Sequence, residues 1–217
     1  MSSVNETIVR EYFESLGFLV LEPCKYIVPG RHKRIEEEID LIVVNPQVTE
    51  QKIPEDMVWT SSDLKGIARA VVGIYGGHTE RLSAARFEQT PEILHFAGEK
   101  AAAIAAKRVG SRDLARILCL PELPASGELK GRAVKVLREK GVNGTLSFRT
   151  ILRELVARVD TTKNYEKSDL LQILRIIKNY DLLKDPQMEF FAKSRGQRKP
   201  QEKKPAEPAP EPEAPKT

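Results

Sequence analysis

The chain has 217 residues, a hydrophobic share of 41%, a charged share of 30% and an aromatic share of 6%. Length over about 150 points to one main domain, and this apolar content suffices for one core. Residues 193–217 carry seven Lys/Arg and four Asp/Glu, so +3 of the formal +4 belongs to the tail and +1 to the rest. The basic balance is therefore no argument that the body binds nucleic acid. No apolar run approaches the roughly 20 residues that span a bilayer, and MSSVNET lacks the plan of a secretory signal. A membrane partner is excluded on these grounds, and the expected location is cytoplasmic. Cys24 and Cys119 sit in separate apolar runs without a close partner, the usage of buried thiols in a reducing compartment.

In chain order, Ile8, Val9, Tyr12, Phe13 and Leu16 share one face of a helix over 5–16, which Gly17 stops. Ser3 and Glu6 have capping-box spacing. On this helix Glu6 borders the apolar face, and Glu11 and Glu14 are expected to lean towards solvent. FLVLEPCKYIV at 18–28 reads as a strand, Pro29-Gly30 as a turn followed by the basic run RHKR, and EEEIDLIVVN at 36–45 as a second strand ended by Asn45-Pro46. An irregular connection with Trp59 fills 46–63. ARAVVGIYG at 68–76 is a third strand closed by Gly76-Gly77. Thr90-Pro91 opens a helix running to about Val109. ARILCLPELP at 115–124 is a buried strand, 128–140 a helix, and 145–149 a short fifth strand. Helices over 151–159 and 168–180 follow, the second capped by Ser168.

The order predicts an α/β protein with a mixed sheet, its later strands parallel and covered on both faces. Residues 1–125 form the core and 126–190 continue it with C-terminal helices. Residues 191–217 are expected to form a disordered tail, since the stretch from 193 holds six prolines and no large apolar residue. The tail is either a solubilising linker or a tether for phosphate or an acidic partner.

Among the acidic positions, Asp40 stands immediately before an apolar LIVV. Strand period two places it with Glu36 and Glu38, away from Ile39, Leu41 and Val43. A carboxylate at the mouth of a buried strand is costly unless it is paired or holds a metal. It could pair with Lys33 or Arg34 across the hairpin, and Glu6 could be only a capping-box member. HTER at 78–81 brings a His, a Glu and an Arg together after two glycines. Arg31, Lys33 and Arg34 could contact phosphates or form a solvated turn. The sequence contains no Walker A, GxGxxG, HExxH or GxSxG motif.

A helical Glu eleven residues before a Gly-Phe strand start, followed by a hairpin whose second strand reads IDLIVV, resembles the restriction-endonuclease-like nuclease superfamily. The resemblance covers about residues 5–122. It implies a restriction-endonuclease-like mixed central sheet flanked by helices, with the core order helix, three-stranded meander, helix, strand. It further implies a helical Glu at Glu6, a strand-two Asp at Asp40 and a Glu-x-Lys pair on strand three around magnesium. Hard oxygen ligands suit that ion, which would stabilise charge on a scissile phosphate. The third motif falls on Gly73-Ile74-Tyr75, where neither functional residue type is present. Lys65, Arg69, His78, Glu80 or Arg81 would have to take over the missing role. Two functions follow as expectations. One is a Mg²⁺-dependent phosphodiesterase using Asp40 with Glu6 or Glu80 as metal ligands and His78 beside them. The other is a catalytically inactive nuclease-fold module that binds nucleic acid through Lys65, Arg69, His78 and Arg81, or scaffolds a protein partner. The expected partner is nucleic acid, with a homodimer also open.

Overall fold

In a computed structural model of the chain, residues 4–23, 39–80 and 82–183 are described. The described residues up to Tyr180 belong to one compact unit. The expected tail, the Ser3 cap, Cys24, the Glu36 and Glu38 positions and the basic run at 31–34 lie outside the described residues.

Helix α1 (Val4–Ser15) turns at Gly17, where φ is +87°, a backbone region that glycine enters without Cβ strain. The chain then enters β1 (Leu19–Leu21) and, after the undescribed stretch 24–38, β2 (Leu41–Val44). A short helix, α2 (Ser61–Leu64), precedes β3 (Arg69–Ile74). Next come α3 (Ala84–Gln89), a 3₁₀ segment (Pro91–Ala97) and α4 (Glu99–Val109). The rest of the body is β4 (Ala115–Leu120), α5 (Gly127–Glu139), β5 (Gly144–Ser147), α6 (Phe148–Arg158) and α7 (Asp169–Asn179).

The five strands form one mixed sheet in the order β1-β2-β3-β4-β5. β2 is antiparallel to both β1 and β3, and β3, β4 and β5 are parallel. The α/β class and the parallel later strands agree with the sequence pattern. One face packs α1, Trp59, α2 and α6 around Leu41, Val43, Ala70, Val72, Ile117 and Leu146. The other packs Phe87, Phe96, α4 and α5 around Ile42, Val71 and Leu118. No described helix is long and apolar enough to cross a membrane.

Several elements differ from expectation for identifiable reasons. The helix expected over 91–109 breaks at Gly98, which adopts φ −69°, ψ 156°, leaving a 3₁₀ segment before α4. α3 was not anticipated; within it Phe87 alone is buried. β5 ends at Ser147, whose hydroxyl accepts from the Thr150 N–H and starts α6 three residues before the expected helix. Ser168 caps α7 as expected, accepting from Leu171 N. Ile39 joins Ile42 in the second cluster rather than following Leu41 and Val43, because it precedes the ladder that enforces alternation. Glu11 is not on the solvent side: it is 8% exposed and accepts from Ser168 Oγ at 2.6 Å.

Candidate functional site

The pairing directions bring the C-terminal ends of β1, β3, β4 and β5 to one rim of the sheet, together with the start of β2. Ligands of open α/β sheets bind outside the carboxyl ends of the strands. α1 runs back along β1, so its first turn returns to the same rim. Asn5 touches Gly76 there: a Cβ on that glycine would run into the Asn5 amide. Glu6, partly buried, is the next residue of that turn.

Asp40 reaches the end of β3. Its Oδ2 accepts from the Ile74 N–H at 2.6 Å. Since Leu41 stands opposite Val72, the next step outward sets Asp40 across from Gly73. A Cβ at Gly73 would overlap the ring of Phe96, which is 2% exposed. The space beside Gly73 is therefore filled by an aromatic side chain from the 3₁₀ segment. Cys119, opposite Ile74 on β4, has its thiol pKa pushed up by burial and then by the charge of Asp40. Both effects keep it protonated and unreactive.

Beyond Gly73 the chain leaves β3 through Tyr75, whose N–H donates to Cys119 O at 2.9 Å. Two small turns follow, with His78 N donating to Gly76 O and Glu80 N to Gly77 O. A Cβ at Gly77 would press 2.6 Å from the Tyr75 ring, so a side chain there would displace that ring. His78 Nε2 lies 2.8 Å from Asn5 Oδ1, and its ring meets Phe148 edge-on at 4.7 Å. The Tyr75 hydroxyl donates to Glu80 Oε2 at 3.0 Å, and Arg86 Nη2 lies 3.2 Å from the same oxygen. Arg86 Nη2 also donates to the Tyr75 hydroxyl at 3.5 Å. The hydrogen bond with Tyr75, then the charge of Glu80, raises the Arg86 pKa, holding the guanidinium charged. A second pair, Arg149 with Glu122, joins the ends of β5 and β4 on this rim.

The site residues expected from the sequence thus separate into groups. Asp40, His78 and Glu80 lie at the rim, and Glu6 is on the helical turn beside it. Lys65 and Arg69 lie at the opposite end of β3, where the Gln51 side chain bonds the backbone of Ala68 and Arg69. At about 3.3 Å per residue, the length of that strand sets the Arg69 backbone about 17 Å from that of Ile74 at the rim. The expected set of Lys65, Arg69, His78 and Arg81 is thus divided among its described members, with Arg69 at one end of β3 and His78 past the other. Arg81, Arg31, Lys33 and Arg34 fall outside the described residues. Asn5, Tyr75, Arg86, Glu122 and Arg149 were not selected as site residues from the sequence. Their signal was positional: each lies just past a strand end or on a neighbouring helix end.

Asp40 commits one oxygen to a backbone N–H, and Gly73 offers no ligand. Among the described residues no three His, Cys, Asp or Glu side chains gather to hold a metal ion. The fold and rim together define an α/β protein with a five-stranded mixed sheet flanked by helices and a polar rim at its strand ends. No protein-family model matches the chain, and no curated protein or solved structure does so.

Proposed function

We propose that the chain is a restriction-endonuclease-like fold that binds nucleic acid without cleaving it. Support for the fold comes from element order: a helix, a three-stranded meander, a helix and a parallel fourth strand, with β2 alone reversed. The observation that carries the loss of catalysis is at Asp40. Its carboxylate faces a glycine packed under Phe96, where a nuclease would need a second carboxylate to share a metal. Support for nucleic acid comes from two rim guanidinium groups, Arg86 and Arg149, each paired with a single carboxylate, Glu80 or Glu122, that a phosphate could displace.

A second reading, a Mg²⁺-dependent phosphodiesterase, rests on Asp40, Glu80 and the Glu6 turn sharing the same rim. Both readings require the body to engage phosphates.

The test is fluorescence anisotropy with a labelled oligonucleotide across a salt series. The full-length protein is compared with a variant whose tail cations Lys193, Arg195, Arg198, Lys199, Lys203 and Lys204 are changed to Gln. Binding that weakens steeply with salt yet survives the tail changes is expected. Binding abolished by the tail changes would assign it to the tail and remove the rim from the function.

A further inference from the structure

The cluster of Tyr75, Glu80 and Arg86 is only half satisfied. Arg86 presents one nitrogen, Nη2, to Glu80 and to the Tyr75 hydroxyl, while its Nε is buried with no hydrogen-bond partner among the described residues. A guanidinium is best used when two parallel N–H groups meet one anion, and an unpaired buried N–H calls for an explanation. The two acidic and basic partners also differ in how they are held. Arg86 projects from α3, which is capped by Ser83 and anchored by buried Phe87. Glu80 sits on the glycine-led turn after β3, with its side chain 45% exposed. A partly exposed ion pair of this kind contributes little stability and is readily exchanged.

We propose that Arg86 is the contact for a nucleic-acid phosphate and that Glu80 is its internal competitor, held in the phosphate position by the Tyr75 hydroxyl. This rests on the nucleic-acid reading of the rim given above. A phosphate that displaces Glu80 can accept from both Nε and Nη2, which the single carboxylate oxygen does not. Glu80 then sets a threshold: weak anions leave the pair closed, and a strand that also engages other cations of the rim opens it. No covalent step is involved.

The experiment measures the affinity of the full-length protein for a labelled single-stranded oligonucleotide and its duplex, with circular dichroism checking the fold of each variant. Glu80→Gln is expected to tighten binding by about fivefold, the scale of one exposed ion pair. Tyr75→Phe, which frees Glu80 without changing net charge, should give a smaller gain. Arg86→Gln should weaken binding by about fivefold, and adding Glu80→Gln to it should restore nothing. Glu139→Gln, the same charge change at the far end of α5, should leave affinity unaltered. If the parent protein binds but Glu80→Gln gives no gain, or gives the same gain as Glu139→Gln or in the Arg86→Gln background, the competitor role is wrong while the nucleic-acid reading stands. If neither the parent nor Glu80→Gln binds, both fail together.

Discussion

The two faces of the sheet solve the problem of buried polarity differently. On the face covered by α1, α6 and α7, polar groups pair across elements that are far apart in the chain. The Tyr12 hydroxyl donates to Glu154 Oε2 at 2.9 Å, the Ser61 N–H donates to Oε1 of the same carboxylate, and Ser168 donates to Glu11. On the face covered by α3, α4 and α5, the described core is aliphatic and aromatic, with Thr145 donating to Met57 O as its buried polar member. Gly73 faces that second side from β3. The carboxylate of Glu11 is buried where a hydroxyl is built to receive it. The space beside Gly73 offers an aromatic ring instead.

The largest way to break this contrast is to force a carboxylate onto the apolar face. Gly73→Glu drives a side chain into Phe96 and buries a charge without a partner, and should cost roughly 3 kcal/mol or more in urea unfolding. Phe96→Ala alone leaves a cavity and should cost about 3–5 kcal/mol. The double variant should lose clearly less than the two losses added together, because the cavity admits the new side chain. Simple additivity would mean that Phe96 is not what excludes the acid.

Smaller losses are expected on the polar face. Tyr12→Phe removes one part-buried hydrogen bond and should cost about 1 kcal/mol, whereas Ser168→Ala removes two, the bond to Glu11 and the α7 cap, and should cost about 2 kcal/mol. Tyr12 also has a pH signature. Burial first, and then the bond to Glu154, push its pKa well above the ordinary value of 10. The folded state therefore keeps the proton where the unfolded chain releases it, so stability is full below pH 10 and declines as pH rises beyond it. Cys119, raised by burial, adds a loss of the same sign. The urea midpoint of Tyr12→Phe should consequently fall less steeply above pH 10 than that of the parent. An identical slope would remove Tyr12 from the alkaline behaviour.

What could be read from the sequence follows the range of the interactions. Ser168 before an apolar run, and the alternation of strands with helices, are local patterns, and both recur in the fold. Asp40 was conspicuous because it stands immediately before an apolar strand, and one bond it makes is from the Ile74 N–H. Glu11 was misread because its hydroxyl partner lies 157 positions away, whereas helical periodicity reports only on the helix itself. Phe96 over Gly73 was equally hidden. A continuous apolar pattern across 91–109 concealed the break at Gly98 that sets the 3₁₀ segment against β3. Arg86 escaped notice because α3 is short and its meeting with Tyr75 and Glu80 depends on the fold-back at Gly76-Gly77.

The central claim is that this rim binds nucleic acid and has lost the metal chemistry of a nuclease. Its most direct test follows the integrity of labelled single-stranded and duplex substrates held with the full-length protein and Mg²⁺ or Mn²⁺, alongside melting in the same ions. Intact strands that stay protein-bound, with no metal-specific rise in Tm, are the expected result. Cleavage that requires the metal and disappears in Asp40→Ala would contradict it.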